Sequence, residues 1–236
     1  MTVPAPAAST APNPPTAAAP PPSDAPAPPA PWTPPTPLPG PVHSPRVTLR
    51  FWEAADAPSM LAAIEASRST LLPWMPWALA DNRTVEECIY NIERFRRARE
   101  APACDSYVLG IFDRRTNEAI GGTGLHRINH SAQQAEIGYW VRADRRRRGL
   151  CTEAVAHLLS AALAPQAAGG WGFRRIEILC GGGNTPSARV PGKLGLRQEY
   201  SLKEARWVDG LGWQDTLGWG VLAGEWDGAR HALRRG

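Results

Sequence analysis

The chain has 236 residues, with 26 Lys and Arg against 22 Asp and Glu and a formal net charge of +4 at pH 7. This mild positive balance suits a phosphorylated ligand or an acidic partner, but it does not indicate direct binding of nucleic acid. The four cysteines are widely spaced and form no CxxC pair. The sequence therefore predicts neither a metal site nor a disulfide framework, and a reducing, cytoplasmic location is expected.

The first 45 residues differ in composition from the rest of the chain. Residues 1–45 hold 18 of the 25 prolines, one acidic residue (Asp24) and no Lys or Arg. Such a segment cannot bury enough apolar surface to offset the entropy of ordering it, so we predict a disordered tail with polyproline II character. Because it lacks a basic n-region and a continuous apolar stretch, neither a secretory signal nor a membrane span is expected. Residues 46–228 are predicted to form one domain, and residues 229–236 a flexible C-terminal end.

The predicted domain opens with a strand at 47–52. A helix at 56–69 follows, because its apolar residues recur at helical spacing. Residues 71–78 (LLPWMPWA) are predicted to form a Pro-interrupted loop that carries two tryptophans. Thr84 and Glu87 then form a capping box, which indicates the start of a second helix.

The second half of the domain is predicted to contain most of the sheet. Three strands at 107–113, 119–127 and 133–141 are separated by turn residues, so they should form an antiparallel meander. An apolar stripe predicts a helix at 149–162. The closing elements are a strand at 174–180, a short helix at 185–194, and strands at 196–202 and 213–222. The order predicts an α/β fold, namely a mixed, largely antiparallel sheet with helices on both faces.

The segment from Glu136 to Ala154 passes from a predicted strand through a basic loop into a helix. A helix N-terminus presents unpaired N–H groups and the positive end of the helix dipole, and both suit a phosphate group. Gly149 permits close approach of the backbone to an anion, and Arg145–Arg148 place four guanidinium groups around it. The alternative is a solvated basic turn, which an arginine run more often forms. The strand before this run and the helix after it favour the phosphate site.

Two motifs in this half of the chain resemble a known family. Residues 146–151 (RRRGLC) are similar to the (Gln/Arg)-x-x-Gly-x-(Gly/Ala) signature of the GNAT N-acyltransferases, whose loop holds the pyrophosphate of acetyl-CoA. Residues 184–196 (NTPSARVPGKLGL) resemble the N-x-x-S-x-x-V-x-x-K-L-G-F motif of the RimJ/RimL-type N-terminal acetyltransferases. The EIGYWV and TEA segments beside the first motif fit the same subgroup. The resemblance covers about residues 46–227, in the family order.

This resemblance implies an N-acetyltransferase that moves an acetyl group from acetyl-CoA, its co-substrate, to a primary amine. The subgroup points to a protein N-terminal α-amine as the acceptor. Three alternatives stay open: a small-molecule amine acceptor, another acyl donor such as succinyl-CoA, and a non-catalytic acyl-CoA-binding module. A monomer or a homodimer is expected, without a metal, a membrane or nucleic acid as a direct partner.

The resemblance also implies which residues bind acetyl-CoA. The backbone of Tyr139, Trp140 and Val141 is expected to pair with the pantetheine arm and to offer an N–H to the thioester oxygen. Asn184 is expected to orient the pantetheine amide or the Ser187 loop, and the alternative for it is a helix N-cap. The residues expected around the pyrophosphate are Arg146, Arg147, Arg148, Gly149, Leu150, Cys151 and Thr152.

Ser187 is the candidate donor to the departing thiolate. Many relatives place a proton-donating Tyr at the position of Pro191, and Ser187 lies one helical turn earlier on the same short helix. Glu136 is the first candidate for the general base, against the alternative of an ordinary half-exposed strand carboxylate, with Glu204 and Asp215 in reserve.

Trp74 and Trp77 are the candidate walls of the acceptor pocket, because aromatic residues on a Pro-braced loop present rigid amphipathic surface. The alternative is that they are core aromatics that anchor the loop. Two departures from the family pattern lie elsewhere. Cys151 replaces a Gly or Ala and could crowd the pyrophosphate loop, and Gly192 predicts an irregular short helix.

Overall fold

One mixed sheet organises the residues described by the computed structural model, which are 27–75, 77–101 and 104–232. The strands in chain order are β1 (Val42–His43), β2 (Val47–Phe51), β3 (Tyr107–Asp113), β4 (Ala119–Asn129), β5 (Gln134–Val141), β6 (Arg175–Gly181), β7 (Arg197–Val208) and β8 (Gly212–Leu222). They lie side by side in the order β1-β2-β3-β4-β5-β6-β8-β7. Neighbours are antiparallel except β5 and β6, which are parallel. The predicted mixed, largely antiparallel sheet is confirmed.

Helices cover both faces of this sheet. They are α1 (Ala57–Glu65), α2 (Arg68–Leu71), α3 (Trp77–Ala80), α4 (Val85–Arg99), α5 (Leu150–Leu163), α6 (Thr185–Lys193) and α7 (Gly228–Ala232). On one face α5 buries Leu158 and Leu159 in a core shared with Ile137 of β5. On the other face Ile64 of α1 and Ile92 of α4 pack in a second core. None of the helices within the described ranges has the length and apolar character of a membrane span.

The parallel pairing of β5 and β6 follows from the chain between them. Parallel neighbours need a crossover connection, and α5 supplies it. The helix therefore begins at the end of β5 and returns the chain to the start of β6. This crossover places the N-terminus of α5 at the end of the sheet where both parallel strands finish.

Several boundaries differ from the predicted ones for local reasons. The predicted 56–69 helix is interrupted at Ala66 and Ser67, and α3 lies within the stretch predicted as a loop. Thr84 does cap α4, since its hydroxyl accepts from the Glu87 N–H at 3.2 Å. The β7 strand runs to Val208, whereas the prediction ended at 202, because most side chains in this part of the hairpin are exposed on both faces and show no apolar alternation.

The N-terminal segment changes the predicted domain boundary. The compact unit that contains the sheet begins at Pro31, not at residue 46. Trp32 is only 4% exposed, its indole N–H donates to the Trp171 carbonyl at 2.7 Å, and its ring stacks on Phe173 at 4.4 Å. The prediction of a disordered tail is therefore wrong for residues 31–45, because one large aromatic side chain can anchor a proline-rich segment that composition alone marks as unfolded. Residues 1–26 lie outside the described residues.

The C-terminal end is partly structured as well. Residues 228–232 form α7, which packs against α5, although the sequence predicted a flexible end from residue 229. Residues 233–236 lie outside the described ranges.

Candidate active site

The sheet opens into a cleft between β5 and β6. These strands pair over only three residues each, Gln134–Glu136 with Arg175–Glu177. Further on, β5 is paired with β4 alone and β6 with β8 alone. The carboxyl ends of two parallel strands are thus separated, a position where open α/β sheets commonly bind ligands. The helices α5 and α6 begin at the same end of the sheet.

The backbone on the β5 side of this cleft is oriented by its pairing with β4. The Arg142 N–H donates to the Ile120 carbonyl at 2.8 Å, which fixes the phase of the ladder. Residues of an antiparallel strand alternately direct their backbone groups towards the partner and away from it. By this alternation Tyr139 and Val141 direct their N–H and C=O groups into the cleft. An extended ligand can pair with them there, as the sequence predicts for the pantetheine arm.

The backbone of Trp140 points the other way from that of its two neighbours in β5. Its backbone faces β4, where Gly122 is its register partner, so the predicted backbone role for Trp140 is wrong. Its side chain lies on the α1 and α4 face of the sheet. A Cβ on Gly122 would lie 2.5 Å from the Trp140 indole nitrogen, so the glycine makes room for this ring.

The loop between β5 and α5 has the geometry of an anion site. Arg147 (φ +61°) and Gly149 (φ +78°) both adopt left-handed backbone conformations. A non-glycine residue in a left-handed conformation, such as Arg147, lowers the stability of the fold by about 1–3 kcal/mol. It keeps this conformation only where its surroundings impose it. Left-handed residues beside right-handed ones bring successive N–H groups together in a concave nest, and the free N–H groups at the start of α5 adjoin it.

The four loop arginines differ in their partners. Arg145 forms an ion pair with Glu118 at 3.1 Å, and Arg146 donates to a threonine hydroxyl of α2 at 2.7 Å. Arg147 and Arg148 are exposed and form no ion pair with any described residue. The positive charge that a pyrophosphate would meet first is therefore carried by these two side chains.

Arg46 is a further basic residue at this loop, which sequence reasoning missed. Its guanidinium donates to the Arg148 carbonyl at 2.9 Å and pairs with Glu153 of α5 at 2.6 Å. A Cβ on Gly149 would lie 3.4 Å from the same guanidinium. Burial raises the pKa of Glu153, but hydrogen bonds from Ser44 and Arg46 outweigh it and hold that pKa below its ordinary value. More than a hundred residues separate Arg46 from Arg148, so only the pairing of distant strands brings it here.

On the other wall of the cleft, Ser187 is tied to β5. The Asn184 side chain caps α6 by accepting from the Ser187 N–H at 3.3 Å. The Ser187 hydroxyl donates to the Tyr139 hydroxyl at 3.3 Å, and the Tyr139 hydroxyl donates to the Ser187 carbonyl at 3.0 Å. Pro191 explains this arrangement, because it has no N–H for the carbonyl four residues earlier. The Tyr139 phenol supplies the missing donor. Despite its proline and glycine, α6 is one continuous helix.

Two thiols lie beside this wall, the half-buried Cys151 and the buried Cys180. Burial raises the pKa of Cys151 to about 12, with Arg146 and Lys193 opposing that rise. The Cys151 side chain packs against the core below α5, so it does not crowd the pyrophosphate loop as its size had suggested. The Leu150 side chain also packs on this core, and the backbone N–H groups of Leu150 and Thr152 belong to the first turn of α5. Burial likewise raises the pKa of Cys180, with a hydrogen bond to Ser187 acting against it.

Glu136 lies where the two parallel strands separate. Its side chain is 18% exposed and pairs with Arg127 at 3.0 Å, and its register partner across β6 is Glu177. Burial raises the pKa of Glu136, while Arg127 and Arg206 lower it and Glu177 adds to the rise. The reserve candidates lie on the β7–β8 hairpin, where the Asp215 carboxylate accepts from the backbone N–H of Glu204.

His126, on β4 directly opposite Glu136, was not singled out from the sequence. Its Nδ1 is 2.7 Å from the Ser106 hydroxyl, whereas its Nε2 has no hydrogen-bond partner among the described residues. Burial lowers the pKa of His126, Arg127 lowers it further, and Asp105 opposes the shift, so the surroundings favour the neutral imidazole. The sequence did offer one sign of this site, because a glycine within a strand often marks a close approach of another group. Here a Cβ at position 124 would lie 2.7 Å from the His126 Nε2.

A cavity of about 270 Å³ adjoins His126 on the α1 and α4 face of the sheet. Trp77 and Trp140 face each other in its wall, with ring centroids 6.0 Å apart. The other lining residues include Met60, Ile64, Phe95 and Val108. Trp77 therefore lines a cavity next to β5, and its role as an acceptor wall stays a prediction.

Trp74 does not line this cavity. A Cβ on Gly181 would lie 2.9 Å from its ring, and one on Gly183 3.2 Å from it. Trp74 thus packs on the glycine run between β6 and α6, which corresponds to the alternative of an aromatic residue that anchors its loop. Across the described ranges, no three His, Cys, Asp or Glu side chains lie where they could share a metal ion.

Comparison with known proteins agrees with this geometry. The profile of the family described as acetyltransferase (GNAT) domain matches residues 46–197. A Bacillus subtilis (strain 168) protein provisionally named ribosomal N-acetyltransferase YdaF is 27% identical over 186 residues, which cover 78% of this chain and 95% of that protein. Mycobacterium smegmatis RimJ, solved with a CoA disulfide, is 28% identical with a TM-score of 0.67, over 82% of this chain and 92% of that one.

A third relative supports the fold alone. The ribosomal-protein acetyltransferase RimL, solved in complex with coenzyme A, is 18% identical with a TM-score of 0.67, over 77% of this chain and 97% of that one. The chain belongs to the GNAT acetyltransferase family, so the resemblance inferred from the motifs is confirmed. It is an acetyltransferase enzyme that uses acetyl-CoA as its acetyl donor.

Proposed function

We propose that the protein transfers the acetyl group of acetyl-CoA to the free α-amine of a polypeptide N-terminus. The observation that carries this proposal is the open cleft, with cleft-facing backbone of Tyr139 and Val141 and a cavity on the acceptor side. Two relatives at 27% and 28% identity, over most of their own lengths, are named as a ribosomal N-acetyltransferase and as RimJ. The first of those names implies an acceptor on a ribosomal protein, which supports a polypeptide acceptor here.

The donor is proposed to lie along three surfaces. The N–H nest around Arg148 and the first N–H groups of α5 would bind the pyrophosphate, with Arg147 and Arg148 adding charge-assisted hydrogen bonds. The pantetheine arm would pair with the cleft-facing backbone of Tyr139 and Val141, which mimics strand addition. One of their N–H groups would donate to the thioester oxygen, where negative charge develops during attack.

The acid–base roles are proposed from position and charge. The amine nitrogen attacks the thioester carbon, the new C–N bond forms, and the C–S bond breaks. We assign the departing amine proton to His126 Nε2, because this atom has no hydrogen-bond partner among the described residues and His126 lines the cavity, whereas the Glu136 carboxylate is paired with Arg127. Asp105, the carboxylate whose charge acts on His126, would stabilise the imidazolium. The Ser187 hydroxyl would donate a hydrogen bond to the departing thiolate, which takes its proton from water on release.

Two alternatives are a small cationic acceptor and a longer acyl donor, and the charges near the cleft favour the second over the first. Among the described residues that line the cavity, Asp81 is the one carboxylate, so a small acceptor with several positive charges finds little to bind. A longer acyl donor with a terminal carboxylate would need a basic side chain near the cleft, and half-buried Arg206 is the candidate for that role. Succinyl-CoA belongs in the assay for this reason.

The test is an acetyl-transfer assay with a set of peptides, each offered with a free and with a blocked N-terminus. Thiol release would measure turnover, and mass spectrometry would locate the added acetyl group. We expect acetylation of the free α-amine only. Modification of lysine side chains or of small amines with no reaction at α-amines would contradict the proposed acceptor. A melting curve unmoved by millimolar acetyl-CoA would remove the acetyl-CoA site itself.

A further inference from the structure

The cavity beside β5 is placed to hold the part of the acceptor next to its amine. It reaches Gly138, Tyr139 and Trp140, and the backbone of Tyr139 faces the cleft expected to hold the thioester. The cavity lies on the α1 and α4 face, whereas Ser187 and the start of α5 lie on the other. A group bound in it would therefore hold its amine against the carbonyl from the side opposite the donor.

The volume of the cavity indicates how large that group is. A dry apolar cavity of about 150 Å³ accommodates benzene. At about 270 Å³, the present cavity has room for one aromatic ring together with the methylene groups that join it to an amine. A hydroxymethyl or methyl side chain would leave most of this space unfilled.

The lining indicates the chemistry of that group. Trp77 and Trp140 form a rigid aromatic wall, and Met60, Ile64 and Phe95 close the helical side. Methionine and aromatic side chains adapt well to flat, polarisable ligands. The surface is thus suited to a ring or a branched aliphatic chain.

The polar groups of the cavity are few and lie mostly on the helical side. Asn91 donates to the Asn82 side chain at 3.1 Å, and the preceding residue, Asp81, also lines the cavity. Arg94 is exposed on α4. His126 Nε2 is the polar atom on the strand side that lacks a partner among the described residues. An acceptor would therefore lie with its amine towards His126 and its apolar group towards Trp77 and Phe95.

We infer that the acceptor carries a large apolar group, an aromatic ring or a branched aliphatic chain, within a few bonds of its amine. This inference rests on the proposed acetyl transfer and names the class of acceptor for the same site. Both an N-terminal residue with a large apolar side chain and a free arylalkylamine have this chemistry. Filling the cavity should raise kcat/KM about 10- to 100-fold over an acceptor with a small side chain.

The first experiment compares acceptors that differ only beside the amine. Four peptides identical after their first residue would begin with Phe, Leu, Ala or Ser, and phenethylamine and ethylamine would form a second pair. We expect the Phe and Leu peptides to exceed the Ala and Ser peptides at least 10-fold in kcat/KM. Equal rates, or faster reaction of the Ala and Ser peptides, would overturn the inference. Phenethylamine at the rate of the Phe peptide would identify a small amine as sufficient, and slow reaction of phenethylamine would assign the site to polypeptides.

The second experiment fills the cavity from the strand side. Val108 lines it, so Val108→Phe should lower the ratio of kcat/KM for the Phe peptide to that for the Ala peptide about 10-fold. Ile89→Phe, on the exposed side of α4, is the matched control and should change neither rate. An unchanged preference in Val108→Phe would contradict the inference. Trp77→Ala, which removes one aromatic wall, is the second variant if Val108→Phe does not fold.

A measurement of acetyl-CoA binding distinguishes failure of this inference from failure of the proposed function. A thermal shift with acetyl-CoA verifies that each variant is folded and binds the donor. If any peptide is acetylated but large apolar first residues bring no advantage, the inference fails and the proposed function stands. If the donor binds and none of the acceptors reacts, the proposed function fails and the inference fails with it.

Discussion

The two sides of the cleft are built in different ways. The donor side comes from two short stretches, 136–154 and 184–187, and most of its contacts are expected from backbone N–H groups, with only a few side chains. The acceptor side comes from α1, α3, α4 and three strands, and its surface consists of side chains. A backbone site binds one chemically constant ligand and tolerates changes of side chain, whereas a side-chain cavity can change its specificity with each substitution. The donor side therefore carries a family motif, whereas the specificity of the proposed acceptor side depends on individual side chains.

The largest effect is expected on the donor wall, from Ser187→Ala. We predict a fall in kcat of roughly 10²–10⁴ with the affinity for acetyl-CoA within a few-fold, because the variant loses one donor to the thiolate. The Asn184 cap and the bond from the Tyr139 hydroxyl both use the Ser187 backbone, so they survive the substitution. Steady-state kinetics and a binding titration would measure the two quantities. Ser201→Ala, on the exposed β7 strand, is the control, and normal turnover in Ser187→Ala would leave that hydroxyl without a chemical role.

On the acceptor side, His126→Gln is expected to lower kcat/KM about 100-fold. A base must be unprotonated, and burial lowers the pKa of His126. Activity of the unmodified protein should therefore fall only as the pH drops through a value below about 6.5, the ordinary pKa of histidine. The variant should lack this acid limb. An exposed residue, His43, provides the control His43→Gln, and an acid limb that persists unchanged in His126→Gln would assign the base elsewhere, with Glu136 next.

Charge on the donor loop should affect binding more than chemistry. The double variant Arg147→Ala with Arg148→Ala is predicted to weaken acetyl-CoA binding about 10-fold and to leave kcat at saturation unchanged, because exposed charges contribute modestly and are screened. The loss should shrink as salt is raised. Calorimetric titration at two ionic strengths would test this. Arg97→Ala with Arg230→Ala removes the same net charge from exposed positions away from the loop. Equal weakening in that pair would reduce the effect to overall charge.

The smallest effects are expected in a pair of glycine variants with opposite signs. Gly149→Ala should destabilise the fold by about 1 kcal/mol or more, because φ is +78° there and the arginine side chain of residue 46 lies close. Gly192→Ala should stabilise it by about 0.5–1 kcal/mol, because that position is helical and its added Cβ meets open space. Urea unfolding would compare both with the unmodified protein. A neutral Gly149→Ala would contradict the strained geometry of the donor loop.

The sequence by itself predicted the local elements that carry the donor half of the site, but neither Arg46 nor the opposite alternation of Tyr139 and Trp140. A strand, a basic loop with a glycine, a helix and a capped second helix are all local patterns, and each follows from hydrophobic period, capping or backbone freedom within a few residues. The fold class followed from the order of those elements. The identity of the family followed from two motifs in that same segment and needed no knowledge of contacts.

The tertiary structure alone decided the rest, because it depends on residues far apart in the chain. Trp32 joins the domain because its indole N–H binds the Trp171 carbonyl and its ring stacks on Phe173, two residues far away in the sequence. Arg46 reaches the donor loop through strand pairing, and the opposite alternation of Tyr139 and Trp140 is set by β4. The acceptor cavity, with His126 beside it, is assembled from segments whose local patterns record only that each buries one apolar face. Burial of a face is encoded locally, but the empty space between several faces is a property of how they pack.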